Sequence, residues 1–199
     1  MPIAGRSLDL SKQNSSSIKQ FSTVLVLGIL FFGVACERQF AGDRLFEVIY
    51  PVTEFNIPAG QPNFSTFVIA QPQVLTNFVD EINLANVTVA DIDNVSGLRA
   101  RVTSLSGEDF GEIERMELRV CTVGQSGGCD QFNLLFSVDD LFRRRQQTVN
   151  LNPGLRNFRE LFVESDIVRV ELVITPGITT SQNIQARLEW SVQAVGNLE

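Results

Sequence analysis

Three cysteines hold most of the chemistry this chain can offer. Cys121 and Cys129 are separated by seven residues, Thr122 to Gly128, and Gly124, Gly127 and Gly128 lie among them. That composition predicts a tight turn whose two ends come within disulfide-bonding distance. A staple of this loop length contributes about 2 to 3 kcal/mol by restricting the unfolded chain. A redox-active pair, or a binding loop held rigid by the bond, are the functional alternatives. Two thiols alone make a poor metal site. If these two pair, Cys36 is the odd cysteine, and it stands directly after an uncharged apolar run, Phe21 to Ala35.

Arg6, Lys12 and Lys19 precede that run, and Gly33-Val34-Ala35 closes it with small residues. A basic start, an apolar stretch and a small-residue cut site predict a signal peptide over residues 1–35. A cysteine placed directly after the cut resembles the lipobox of bacterial lipoproteins. The resemblance implies that the Cys36 thiol is acylated and that the chain is held to a membrane by lipid. Its expected place is the cell envelope, at the outer membrane or cell surface. Gly33 stands where the lipobox usually has a bulky aliphatic residue, and Gly33-Val34-Ala35 also suits ordinary signal peptidase, which would release a secreted protein. Fifteen apolar residues fall short of the roughly 20 that a membrane-spanning helix needs.

The chain holds 16 basic and 23 acidic residues. Residues 1–35 take with them Arg6, Lys12, Lys19 and Asp9, which leaves 13 arginines, 22 acidic residues and a formal charge of −9. Such a balance argues against nucleic acid, whose binding rests on Lys and Arg neutralising phosphates. It also opposes adsorption to anionic lipid head groups. There is no histidine, which removes the commonest general base and transition-metal ligand. No Ser-His or Cys-His nucleophile can be assembled. Catalytic residues, a metal and a cofactor are therefore not expected.

Other polar clusters have bland readings beside chemical ones. Asp91, Asp93, Asn94, Ser96 and Gly97 share alternating oxygens with a calcium loop. Val95 and Val102 stand where further ligands would be needed, so capping and turn chemistry are expected instead. Glu108, Asp109, Glu112 and Glu114 include carboxylate pairs of the kind a glycosidase uses. Without sugar-stacking aromatics around them, they read as a solvated turn. Arg143-Arg144-Arg145 is of a kind that grips an acidic partner or a phosphate, but it follows Asp139-Asp140, which predicts local ion pairing. Arg99, Arg101, Glu117, Arg119, Arg169, Glu171, Arg187 and Glu189 are expected to form charge ladders on one exposed sheet face. Fifteen phenylalanines against one Trp and one Tyr read as core filling rather than recognition.

The elements that position these residues are strands. Ile184, Ala186, Leu188, Trp190, Val192 and Ala194 alternate with polar residues, and Val168, Val170, Leu172 and Ile174 do the same. Leu98, Ala100 and Val102 continue the scheme, as do Met116, Leu118 and Val120, then Phe132, Leu134, Phe136 and Val138 with Asn133, Leu135 and Ser137 outward. Residues 46–50, 64–70 and the stretch around Val149 and Leu151 complete about eight strands. Leu75, Phe78, Val79 and Ile82 recur at helical spacing, with Thr76 and Asn77 as caps. Thr88 to Asp91 has a capping-box pattern that predicts a turn or two of helix through Val95. The expected fold is an all-β, antiparallel sandwich of immunoglobulin-like or Greek-key type with one or two short helices. It would occupy 46–196, after a lipidated cysteine and tether at 36–45.

The order of elements resembles a group of small lipoproteins from Bacteroidetes-type bacteria. The likeness lies in Thr88 to Leu105 with its GLRARVTSL, in DFGEIERMELRVC at 109–121, and in the terminal pair IVRVELVITPG and IQARLEWSVQAV. It implies an anchored β-sandwich with no established activity, and it carries over no functional residues. The function expected from the whole is an exported, non-enzymatic envelope protein with a structural or binding role. A carbohydrate-binding or adhesion module is one alternative, and a carboxylate-dependent glycan hydrolase another.

Overall fold

The longest alternating run forms the spine of the fold. In the computed structural model, which describes residues 42–197, strand β9 (Ile184–Gly196) buries Ile184, Ala186, Leu188, Trp190, Val192 and Ala194. β1 (Asp43–Ile49) pairs with the C-terminal half of β9, and β2 (Thr53–Ile57) with its N-terminal half. β4 (Ile92–Ser104) fills the other side of β9, so β1 and β2 share one edge as an interrupted strand. Pro51 makes the interruption, since it has no N–H for a ladder. Tyr50 still donates its N–H to the Trp190 carbonyl at 3.1 Å.

Beyond β4 come β7 (Thr148–Pro153), β6 (Leu134–Val138), β5 (Ile113–Thr122), β8 (Ile167–Pro176) and β3 (Phe67–Leu75), in that spatial order. Every pairing is antiparallel. β7 pairs with β4 through Thr148–Leu151 and with β6 through Asn152 and Pro153. The sheet therefore passes from one layer to the other at β7. The result is an all-β sandwich of nine strands with a jelly-roll-like curl, whose path ends at β1 with β2 and at β3.

Between the layers lie Phe46, Phe110 and Phe136, and one end is closed by helices α1 (Phe78–Ala85) and α2 (Arg159–Glu164). Phe78 meets Phe46 edge-on at 5.4 Å and Phe162 at 5.3 Å, the offset geometries that ring quadrupoles favour. Among the described residues the phenylalanines do fill the core or pack against it, with Phe64 and Phe132 as exposed exceptions.

Several boundaries differ from the expectation. β1 begins at Asp43, so residues 43–45 belong to the sheet rather than to a tether. The capping box at Thr88 opens a single 3-10 turn, Val89–Asp91, and Ile92 already pairs with Gly196, so no helix runs to Val95. Pairing along β9 satisfies those backbone groups and overrides a weak local preference. The strand expected at 64–70 runs instead over Phe67–Leu75, passing Pro72 at a register shift between Gln71 and Val74. An edge position with a bulge is where a sheet tolerates proline. Phe132 lies in a 3-10 turn and is 83 % exposed. Leu135, expected outward, is buried because the β5–β6 register shifts beside it, leaving Leu135 and Phe136 both inside. β2 and α2 fall in segments too short and aperiodic to be read as elements.

Candidate functional site around Tyr50 and Trp190

The chain's one tyrosine and one tryptophan sit face to face. Their ring centroids are 3.8 Å apart and the planes differ by 5°. Both rings are buried, at 3 % and 2 % exposure. Tyr50 arrives there because the chain leaves β1 before Pro51, and its hydroxyl donates to the Thr76 carbonyl at 3.1 Å. Burial pushes the Tyr50 phenol well above its ordinary pKa, as expected when the charged form would lose its water. Thr76 is itself tied to Ser165 by its hydroxyl at 2.8 Å, so the pair is braced against the helical end of the sandwich.

A hollow of about 320 Å³ opens on this pair, between the β1–β2 link and β3. Its remaining lining is Pro51, Gln71, Gln73, Val74, Leu75 and Asn77, with no charged side chain. Gln71 donates to the Thr53 hydroxyl at 2.7 Å and so ties β3 to β2 across the open seam. Asn77 is the N-cap residue of α1, holds the left-handed backbone at φ 55°, and makes no side-chain capping bond. Asparagine is one of the few residues besides glycine that take this conformation readily, and Asn86 at the other end of α1 does the same. None of these lining residues was singled out from the sequence as a site. The lone Tyr and the lone Trp lie 140 positions apart in the chain, and no local pattern announces their contact.

A second hollow of about 330 Å³ touches the same pair and carries Arg99, Arg101, Asn150 and Glu189. Here the charges already satisfy one another. Arg101 binds Glu189 through Nε at 2.9 Å and Nη2 at 2.6 Å. The Arg101 hydrogen bonds hold the Glu189 carboxyl below its usual range. Arg99 crosses β9 to reach Glu47 at 3.1 Å. A third hollow, about 280 Å³, lies between α2 and the 121–129 hairpin. Its Arg156 is engaged by the Phe132 carbonyl at 2.5 Å and by Asn133 Oδ1 at 2.8 Å.

The expected single ladder is in fact two. Arg99, Arg101, Arg187 and Glu189 lie on β4 and β9, while Glu117, Arg119, Arg169 and Glu171 lie on β5 and β8, in the other layer. The β5–β8 set is far less exposed than a wet face, with Glu117 at 8 % and Glu171 at 4 %. Cys121 and Cys129 are bonded to each other, and Gly128, at φ 86°, packs against the Glu171 carboxylate. Glu171 accepts from the Cys129 N–H at 3.0 Å and from Arg169 Nε at 2.6 Å. Arg119 binds both Glu117 and the Cys129 carbonyl.

The remaining candidates serve the frame. Cys36 and residues 1–35, where a signal peptide is expected, lie outside the described residues. Asp91 accepts from the Thr88 N–H at 2.6 Å and hydroxyl at 2.8 Å, bonds that lower its pKa. Asp93, Asn94 and Ser96 are spread along β4, and a strand sends successive side chains to opposite faces, so they do not converge as a calcium loop. Asp109 accepts from the Gly111 N–H, and Glu112 accepts from the Ser181 N–H and hydroxyl. Arg144 pairs with Asp140 at 2.6 Å, and Arg143 lies over the Phe142 ring. Among the described residues no group of three or more acidic, His or Cys side chains is placed to hold a metal, and no helix there is long and apolar enough to cross a membrane.

No protein-family model matches the chain, and no curated protein matches it in sequence. Among solved structures it is similar to the top component of cowpea mosaic virus, the naturally occurring empty particle, at 14 % identity and a TM-score of 0.37. That match takes in 84 % of this chain and 46 % of the viral one.

Proposed function

We propose that this protein is an exported, lipid-anchored β-sandwich of the bacterial cell envelope, with a binding or structural role and no catalysis of its own. One observation carries the reading. The Cys121–Cys129 bond uses two of the three cysteines and leaves Cys36 as the odd one, directly behind an apolar run and small residues. Structural disulfides belong to oxidising compartments, and an unpaired thiol there is accounted for if it carries lipid. The resemblance to small Bacteroidetes-type lipoproteins supports the same placement at the outer membrane or cell surface. For the binding role, the support is the hollow at the seam, lined by amides and apolar side chains. Against a glycan hydrolase stand the carboxylates at 109 and 112, which are taken up in holding loops.

Detergent partition and mass spectrometry of the full chain expressed in a lipoprotein-processing bacterium test the anchor. The expected product partitions into detergent and begins at an acylated Cys36, and Cys36→Ala leaves an unprocessed or soluble form. A mature N-terminus at an unmodified Cys36 overturns the reading.

A further inference from the structure

We infer that the hollow beside Tyr50 and Trp190 binds one neutral sugar ring of a glycan. The inference deepens the binding half of the proposed function and does not depend on the lipid anchor. Its first ground is size. A hollow of about 320 Å³ sits at the lower end of the range for small-molecule sites, which suits one ring with its substituents rather than a peptide.

Charge is the second ground. The lining residues are Tyr50, Pro51, Gln71, Gln73, Val74, Leu75, Asn77 and Trp190, none of them ionised at neutral pH. Neither sign of ligand is favoured, whereas an uncharged polar one is.

Chemistry is the third ground. A sugar ring has an apolar C–H face and a rim of hydroxyls that both donate and accept. Pro51 and Leu75 are exposed at the hollow, Leu75 at 63 %, and give an apolar wall over a floor of the buried aromatic pair. Gln73 and Asn77 are exposed side-chain amides, and each amide offers two donors and an acceptor. Asn77 makes no capping bond, so its amide is not spent on the first-turn N–H groups of α1. Gln71 gives its Nε2 to Thr53, which leaves its carbonyl oxygen as an acceptor held at a fixed position. Donors and acceptors thus stand together above an apolar wall.

The test uses the full chain in lauryldimethylamine oxide, a detergent without a sugar head group. Trp190, as the only tryptophan, reports directly. Chitotriose, cellotriose and maltotriose are titrated in turn while its emission is followed. At least one should shift the emission saturably at millimolar concentration, the affinity expected of one ring with a few hydrogen bonds. Gln73→Ala and Asn77→Gly should each weaken that binding about tenfold, and Arg143→Ala, which does not line the hollow, should leave it unchanged. Glycine at 77 keeps the left-handed backbone accessible, and thermal unfolding by circular dichroism confirms that each variant is folded. Saturation-transfer NMR on the unaltered protein should show contact along one ring of the trisaccharide. The inference is overturned if no trisaccharide moves the emission, or if both variants bind as the parent does. Equal competition by a sulfated or uronic acid oligosaccharide would also overturn it and mark an anion site instead.

Discussion

Tyr50 lies flat on Trp190, with ring centroids 3.8 Å apart, and hands its hydroxyl to the Thr76 carbonyl. One contact thereby joins the edge of the sandwich, the strand paired beside that edge and the entrance to α1. The two rings meet where the edge passes from β1 to β2, Tyr50 from the link and Trp190 from β9. The pair is both core and floor of the seam.

Trp190→Ala should destabilise the protein by about 3 to 5 kcal/mol, the usual range for emptying a buried aromatic site. Arg187→Ala, on the opposite face of β9 and 40 % exposed in its side chain, should lose no more than about 0.5 kcal/mol. Urea unfolding followed by far-ultraviolet circular dichroism measures both. Similar losses at the two positions would contradict the register of β9.

Tyr50 should resist ionisation while the protein is folded. Its folded pKa is raised by burial, so the proton is held more tightly in the native state than in the unfolded chain. The stability tied to it is therefore complete below about pH 10, the unfolded value, and falls as pH rises beyond it. Absorbance at 295 nm should show no tyrosinate until unfolding begins. Tyr50→Phe should abolish this alkaline dependence and cost about 1 to 2 kcal/mol, because the buried Thr76 carbonyl loses its donor. A tyrosine that titrates near pH 10 in the native state would refute this.

Gly97→Ala should destabilise by about 1 to 3 kcal/mol through overpacking. A Cβ at Gly97 would come within 2.5 Å of the Phe136 ring, which is fully buried. Phe136→Leu in the same chain should relieve part of that loss, so the double variant should be less than additive. Thermal unfolding of the two single variants and the double variant decides it.

Breaking the Cys121–Cys129 bond by paired Ala substitution should lower stability by about 2 to 3 kcal/mol. The loss should exceed that from Asp130→Ala nearby, because Gly128 and the Cys129 N–H also cover the Glu171 carboxylate. Glu171→Ala should itself be strongly destabilising, since it leaves Arg169 and the Cys129 N–H without their acceptor. Hydrogen exchange at the backbone amide of position 129 should rise in both variants, and protection retained in Glu171→Ala would show that the carboxylate does not hold the hairpin.

Local chemistry was legible in the sequence wherever one segment contains its own cause. The alternation in β8 and β9 marks the buried face because side chains in a strand point alternately to either side. The glycines between Cys121 and Cys129 announce the turn that closes their bond, and Thr88 with Asp91 announces the capping box. The all-β class follows from the same repeats. What the tertiary structure alone decided is everything that depends on which strand lies beside which. It split the arginine and glutamate ladder into two, since β4 and β9 belong to one layer and β5 and β8 to the other. It turned Leu135 inward, because a shift of one residue in pairing exchanges the faces of a strand. It ended the expected helix at Asp91, where hydrogen bonds to β9 outweigh local preference. And it brought Tyr50 from the edge onto Trp190, beside Gln73 and Asn77, because contacts between residues far apart in the chain are set by packing, which no local pattern records.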